Sequence, residues 1–368
     1  MSSESVALGS VPAMNKRVVV WGTGNVGRPA IRAVSAHHEL DLVGVVVANP
    51  DKIGRDAGEI AGIEPTGVRC TDDADSLLDS GVDAVVYTAS GDFRPVEAEA
   101  DLEQCLRSGA NVTSTSFYGL LHPPSCPPAL RRRVDDACAV GDTSVFVSGI
   151  DPGWALDLLP LVLSGVVADI GEIRAQEVFN YATYDQPEAV RDLIGFGRSL
   201  DEVPPMLLPT IPTSVWGPML RVLADGLGVE LDDIVEDVDR RPLERTIEVD
   251  GMGTFEAGTQ GAFRMQIQGI VDGEPLLVVD HVTRIDDDAV PEWPQPEHGQ
   301  GVHRVLISGR PDLTVTIHGD DGDGVTAGGG NATAANRIVN AVPAVCDAPA
   351  GPVHPLDLPL IDGRAQLR

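Results

Sequence analysis

Lysine is nearly missing from this sequence: Lys16 and Lys52 are its only two lysines, and arginines supply the rest of the 26 basic residues. Lys16 precedes the first predicted strand and Lys52 follows the second. Neither position is one where a Schiff-base lysine or a lysine general acid is expected. The sequence therefore argues against catalysis by lysine.

Paired cysteines and long apolar runs are also missing. The five cysteines are scattered, without a Cys-x-x-Cys pair, which favours a reducing cytoplasm over a disulfide framework. No His, Cys and Asp grouping has metal-ligand spacing, so no metal is expected. No apolar run approaches the length of a membrane span. We predict a soluble cytoplasmic protein whose first 14 residues are a disordered lead-in.

Positive charge is scarce, since 56 acidic residues outnumber 26 basic ones and give a formal net charge of −30. A surface this negative repels nucleic acid and anionic membranes. The expected partner is a small-molecule substrate, with neither nucleic acid nor membrane contact.

A glycine motif near the N-terminal end is the most informative feature that is present. The β-branched run Val18–Val20 leads into Gly22-x-Gly24-x-x-Gly27, and a helical pattern follows. Strand, glycine turn and helix are the order that a dinucleotide-binding fingerprint requires, although a glycine turn without a nucleotide is the alternative. Such glycines permit the tight turn, the approach of a pyrophosphate and close helix packing. The predicted cofactor contacts here are Gly22, Thr23, Gly24, Asn25, Val26 and Gly27.

The end of the second predicted strand bears on the choice of cofactor. NAD sites usually place an acidic residue about 20 residues past the glycines, where it holds the ribose 2′-hydroxyl. Here Asn49 is neutral, and Lys52 and Arg55 follow it. These two cations either bind a 2′-phosphate or are merely solvated. Because Asn49 stands where an acidic residue would hold a 2′-hydroxyl, we favour NADP as the cofactor and keep NAD as the alternative. The end of the next strand adds three predicted cofactor contacts: Thr88, Ala89 and Ser90.

The order of predicted elements defines the fold class. Alternating strands and helices after the glycine turn predict a parallel sheet with right-handed crossovers. Beyond a hinge at Ser148–Trp154 the strands are expected to pair antiparallel, with a hairpin at Asp272-Gly273. We predict an α/β protein with a Rossmann-type parallel sheet, then an α+β domain with a mostly antiparallel sheet. The predicted division is a dinucleotide-binding domain at 15–152, a substrate and oligomerisation domain at 153–330, and a C-terminal helix and tail at 331–368 that return to the first domain.

With these segments laid out, the chain resembles the family with a dihydrodipicolinate-reductase-like N-terminal domain. Within it, the chain is most similar to the 2,4-diaminopentanoate dehydrogenases and native amine dehydrogenases. The likeness is carried by Val20–Gly27, Asn49–Gly58, Gly149–Gly153 and Ala334–Val345 and spans nearly the whole chain. It implies NAD(P)-dependent reductive amination of ketones or aldehydes, or the reverse deamination. A homodimer is also predicted.

The chain departs from the family pattern in two places. The His-His and Lys-containing signature of true dihydrodipicolinate reductases is absent. The amine dehydrogenases place a glutamate, thought to engage the amine, shortly after the strand that matches Asn111–Thr115. Ser116, Phe117 and Tyr118 stand there instead, so the sequence leaves amine chemistry open.

Hydride transfer is the chemistry of the cofactor, and the protein supplies a proton or polarises the reacting bond. The catalytic candidates are Tyr118, through its phenol, and Glu177, as a displaced carboxylate. Their structural alternatives are a packed loop aromatic and a sheet carboxylate. Asp151 is interpreted as a turn or capping residue, and His122 as a solvated loop histidine. The predicted substrate-pocket residues are Phe117, Trp154, Asn180 and Tyr181.

Three functions are compatible with these residues. The leading one is an NAD(P)-dependent oxidoreductase that acts on a small amine, imine or carbonyl. The second is an oxidoreductase for carbonyl or hydroxy substrates without amine chemistry. The third is a non-catalytic protein that binds the cofactor.

Overall fold

The computed structural model describes residues 14–91, 93–184, 186–297, 299–320 and 329–367. The lead-in expected over residues 1–14 lies outside these ranges, apart from Met14. No helix within the described ranges is both long enough and apolar enough to cross a bilayer.

The strands form two large sheets and one short ribbon. In chain order they are β1 (Lys16–Trp21), β2 (Leu40–Val46), β3 (Cys70–Thr71), β4 (Ala84–Tyr87), β5 (Asn111–Ser114), β6 (Ser144–Val147), β7 (Ala168–Asn180), β8 (Asp233–Pro242), β9 (Ile247–Val249), β10 (Gly253–Phe255), β11 (Gln260–Val271), β12 (Glu274–Arg284), β13 (Gly301–Arg310), β14 (Leu313–Ile317) and β15 (Gly351–Pro352).

Helices cover the first sheet and support the second. They are α1 (Gly27–Ala36), α2 (Ala57–Ala61), α3 (Ala74–Asp79), α4 (Pro95–Arg107), α5 (Pro128–Gly141), α6 (Leu158–Ser164), α7 (Ile211–Leu227) and α8 (Gly330–Cys346).

The first sheet is parallel, in the order β15-β6-β5-β4-β1-β2-β3. Val18 and Val20 of β1 pack in the cluster that holds α1 and α8, whereas Val19 packs in the cluster that holds α4 and α5. Successive side chains of a strand face opposite sides, and helices cover both sides here. The apolar run of β1 is therefore wholly buried, and the predicted return of the C-terminal helix is confirmed.

The second sheet has the order β14-β13-β7-β12-β11-β8. Its pairs are antiparallel except that β12 runs parallel to β7. Helix α7 packs on one face through buried residues that include Trp216, Met219 and Leu220. The expected parallel sheet followed by a mostly antiparallel one is confirmed.

The sequence pattern predicts this second sheet incompletely. The pattern of Leu243–Val249 is compatible with a strand, but only Ile247–Val249 forms one, and it pairs with β10 in the separate ribbon. Strands β8, β13 and β14 are not predicted by the pattern. Edge strand β8 has the sequence DIVEDVDRRP and no fully buried residue, because one side of an edge strand has no neighbour. Its polar composition leaves no apolar run to recognise.

Candidate active site

A cleft of about 630 Å³ is lined by the turns that follow strands of the first sheet, by residues of β7 and β13 in the second sheet, and by the start of α8. All the predicted cofactor contacts line it except Gly27 and Arg55. Of the predicted substrate and catalytic residues, Tyr118, Glu177, Asn180 and Tyr181 line it. The fold thus brings the glycine turn and most of the proposed chemical groups to one cavity.

The three motif glycines have different surroundings. Gly22 has a φ of +109°, and a Cβ there would lie 2.8 Å from the Thr88 hydroxyl. A Cβ on Gly27 would lie 2.2 Å from the Gly22 carbonyl oxygen, so this glycine lets α1 pack closely. A Cβ on Gly24 would meet nothing within 4 Å. Gly22 and Gly27 are therefore required by the fold, whereas Gly24 leaves open space suited to a pyrophosphate.

The two predicted 2′-phosphate cations are placed differently. The Nζ of Lys52 donates to the carbonyl and hydroxyl oxygens of Thr23 at 3.1 and 3.0 Å, so its ammonium lies beside the glycine turn. Arg55 is exposed and does not line the cleft. Asn49 caps a short helical turn by accepting from the Asp51 N–H. Lys52 is thus the better placed of the two cations.

Phe117 and Trp154 do not line the cleft where the sequence predicts them. Phe117 has a φ of +66°, packs 5.2 Å from the Tyr87 ring and lines a second cavity of about 420 Å³. Tyr118 borders both cavities. Trp154 packs against Ile150, Ala155 and Ala334. The aromatic side of the cleft comes from other residues.

A carboxylate flanked by two histidines lies on the second sheet. Glu177 of β7 is in register with His281 of β12 on one side and His303 of β13 on the other. Its Oε1 lies 3.6 Å from His281 Nδ1, and its Oε2 lies 3.4 Å from His303 Nε2. The Tyr181 hydroxyl donates to Oε1 at 3.2 Å. Strand pairing therefore fixes the position of this acid at the cleft.

A second acid meets the same cluster from the first sheet. Asp151 follows β6, and its Oδ1 lies 3.4 Å from His281 Nε2. The indole N–H of Trp216 donates to Oδ1 at 2.7 Å, whereas Oδ2 is buried without a hydrogen bond. The sequence indicates a turn or capping residue at Asp151, but the side chain belongs to this buried acid–histidine network.

Burial and charge shift the ionisation of the network in opposite directions. Burial raises the pKa of Asp151 despite the neighbouring His281. Burial opposes ionisation of Glu177, but its two histidine neighbours outweigh burial and hold the pKa of Glu177 well below its ordinary value. Burial likewise opposes the charged form of His281, but the two acids raise its pKa to about 10. The cluster presents an ionised Glu177 beside a protonated His281.

The raised pKa of His281 predicts a pH-dependent stability. Its folded-state pKa is about 10, above the ordinary value of 6.5. The contribution to stability is therefore complete below pH 6.5 and is lost as the pH rises through 10. We expect the free energy of unfolding to fall across this interval, and to fall less in His281→Gln. Chemical denaturation at several pH values measures both slopes, and equal slopes would contradict the assignment.

Sequence spacing shows no metal-ligand grouping, but the fold gathers two such sets among the described residues. They are Asp151 with Glu177 and His281, and His122 with Asp225 and His354. The members come from segments far apart in the chain, so spacing could not reveal them. The one signal in the sequence is a histidine inside an apolar strand, as at His281, since burying an ionisable group requires a partner.

Comparison with known proteins identifies the family. Residues 154–366 match the sequence model for the 2,4-diaminopentanoate dehydrogenase C-terminal domain, and residues 16–114 match that for the dihydrodipicolinate reductase N-terminus. An amine dehydrogenase from Streptomyces virginiae is 52% identical over 93% of this chain and 96% of its own length. The chain belongs to the amine and 2,4-diaminopentanoate dehydrogenase family. It is an oxidoreductase that uses a nicotinamide cofactor.

Two more distant relatives match this chain over nearly its whole length. The 2,4-diaminopentanoate dehydrogenase of Acetoanaerobium sticklandii is 23% identical and covers 94% of this chain and 93% of its own. The amine dehydrogenase structure from Mycobacterium smegmatis has a TM-score of 0.74 at 21% identity, over 96% of this chain and 98% of that one. The fold is therefore shared from the glycine turn to the C-terminal helix.

Proposed function

We propose that this protein interconverts a small apolar amine, water and the oxidised nicotinamide cofactor with the corresponding ketone or aldehyde, ammonia and the reduced cofactor. The observation that carries this proposal is the position of Glu177, whose carboxylate lies at the cleft between two histidines. A substrate ammonium or iminium is positively charged, and a fixed carboxylate stabilises it electrostatically. The family glutamate missing after β5 is thereby replaced by one on β7. The amine dehydrogenase relatives support the same reaction class.

The lining of the cleft supports an amine without a carboxylate. Among the described lining residues, the cationic or titratable basic side chains are Lys52, beside the glycine turn, and His303, beside Glu177. No arginine of these ranges lines the cleft, so a substrate carboxylate would lack a bidentate partner. The wall away from the glycine turn is largely apolar. Its apolar side chains include Leu193, Ile194, Met206, Val215 and Trp216.

The chemistry divides between the cofactor and the protein. The nicotinamide, when bound, accepts or donates the hydride at the substrate carbon. The glycine turn would hold the pyrophosphate, and the N–H groups at the start of α1 would supply donors to it. Glu177 binds the substrate nitrogen and stabilises its positive charge electrostatically. Asp151 and His281 keep Glu177 in place, and Tyr118 at the cleft edge is the proton donor we propose.

Cofactor oxidation with and without ammonia tests the proposal. We expect NADPH oxidation with an apolar ketone to require ammonia, and alkanamines to reduce NADP without it. An equal rate with the ketone alone would favour a carbonyl oxidoreductase instead. Tight cofactor binding without turnover across a panel of ketones and amines would favour the non-catalytic alternative.

We propose NADP as the preferred cofactor, with NAD accepted. No acidic residue lines the cleft beside Asn49 among the described residues, so a 2′-phosphate would meet no opposing carboxylate there.

We expect Lys52→Ala to weaken the binding of NADPH more than that of NADH. The differential effect should be roughly tenfold or less, because an exposed ion pair contributes about 1 kcal/mol or less. Isothermal titration measures both affinities, with Arg55→Ala as the matched control that should change neither. Equal losses for the two cofactors in Lys52→Ala would contradict NADP preference.

We further propose a cytoplasmic homodimer with the domain division predicted above. The five cysteines are free and four of them are buried, in keeping with a reducing compartment. On the sheet face opposite Glu177, Arg174 and Arg264 pair with the buried Asp280 but are themselves partly exposed, so these two guanidinium groups are available to contact a second copy. The mass in solution by light scattering tests the dimer.

A further inference from the structure

A second histidine and carboxylate cluster lies outside the cleft. His122 follows β5, Asp225 lies in the last turn of α7, and His354 follows β15. The Nε2 of His122 lies 2.9 Å from Asp225 Oδ2, and the Nε2 of His354 lies 3.3 Å from the same oxygen. All three ligand atoms lie within 4.8 Å of one another. Three separate parts of the chain therefore converge on one point.

The spacing of these atoms suits a tetrahedral metal ion. Zinc bonds of about 2.0–2.1 Å place neighbouring ligand atoms about 3.3 Å apart in a tetrahedron. The two contacts to Asp225 Oδ2 are close to this separation. We propose that His122, Asp225 and His354 form a Zn²⁺ site that joins both sheets and the C-terminal tail.

The surroundings favour imidazole ligands. The Nδ1 of His122 lies 2.7 Å from the Ser125 hydroxyl, and such a second partner fixes the ring with Nε2 directed at the metal. The Nε2 of His354 is buried and makes no hydrogen bond. A metal ion would satisfy that orphaned atom.

Three features oppose coordination. His122 Nε2 and Asp225 Oδ2 form a hydrogen bond at 2.9 Å, which bonds to the metal would replace. The Leu356 N–H donates to His354 Nδ1 at 3.1 Å, and coordination at Nε2 would put the ring proton on Nδ1 and open this contact. The contact is exposed, so water can replace it. Arg221 adds a positive charge near His122. Asp225 offsets that charge, and its half-exposed side chain leaves room for a water as fourth ligand.

Competition against a chromophoric chelator measures Zn²⁺ affinity in the full chain. We expect the parent to bind one Zn²⁺ ion at this cluster. His354→Ala and Asp225→Asn should each lose more than about 100-fold in affinity for that ion. Ser125→Ala should lose about 10–100-fold, as is usual for a partner behind a ligand. Zn²⁺ should raise the Tm of the parent but not of His354→Ala, because a ligand specific for the folded state stabilises it.

Two matched controls separate this site from other zinc ligands. Glu177→Gln alters the acid–histidine set at the cleft, and His38→Ala removes an exposed histidine. Both variants should bind Zn²⁺ at the His122, Asp225 and His354 site as tightly as the parent does. The proposal is overturned if the parent binds Zn²⁺ no more tightly than His354→Ala and Asp225→Asn, or if Glu177→Gln alone abolishes binding. Asp225 is half-exposed, so Asp225→Asn remains informative if His354→Ala does not fold.

Discussion

Replacing Glu177 with Gln should abolish most turnover of an amine substrate, with a fall in kcat/KM on the order of 100-fold or more. The amide keeps the size of the side chain but removes the negative charge that, in our proposal, binds the substrate nitrogen. Cofactor affinity should be unchanged, because Glu177 belongs to β7 and is not one of the proposed cofactor contacts. Steady-state kinetics with saturating cofactor and a cofactor titration measure the two effects.

Two further variants test whether the loss of turnover is specific to the Glu177 carboxylate. Glu172→Gln changes an acid of the same strand that points to the opposite face and pairs with Arg174, so its turnover should match the parent. Tyr118→Phe tests the proposed proton donor at the cleft edge. Turnover in Glu177→Gln equal to that of the parent would remove the carboxylate from the mechanism. A large loss confined to Tyr118→Phe would assign proton transfer to the phenol.

Gly24→Val should remove cofactor binding while the fold is retained. A Cβ at Gly24 meets no protein atom within 4 Å, so the added side chain would occupy the space where a pyrophosphate approaches the backbone. We expect Kd for both nicotinamide cofactors to rise by about 100-fold or more, equivalent to about 2.8 kcal/mol. Thermal melting without cofactor should match the parent.

Gly27→Val is the contrasting variant. A Cβ there would lie 2.2 Å from the Gly22 carbonyl oxygen, so we expect this change to lower the Tm even without cofactor. Unchanged cofactor affinity in Gly24→Val would contradict a pyrophosphate at this turn. A large loss of stability in Gly24→Val would show instead that the position serves the fold.

Local sequence is enough to predict the parallel sheet. The Val18–Val20 run, the glycine spacing and the following helix are contiguous, and each has a physical requirement that nearby residues meet. The hairpin of β11 and β12 is equally readable, because Asp272-Gly273 supplies the turn and both residues have positive φ. Strand β8 is not predicted, because it lies at a sheet edge and its residues are largely polar.

The candidate site likewise has one part that local sequence predicts and one part that only the tertiary structure creates. The cofactor turn was determined by the sequence itself, because Gly22 through Gly27 act within one short segment. The acid–histidine cluster was decided by tertiary structure alone: the pairing of β7 with β12 and β13 sets His281 and His303 beside Glu177. Sequence spacing carries no record of which strands pair, because a non-local sheet register is set by burial of whole faces. The sequence by itself determined the glycine turn that we propose for the cofactor, and only the folded sheet decided which acid lies between two histidines at the cleft.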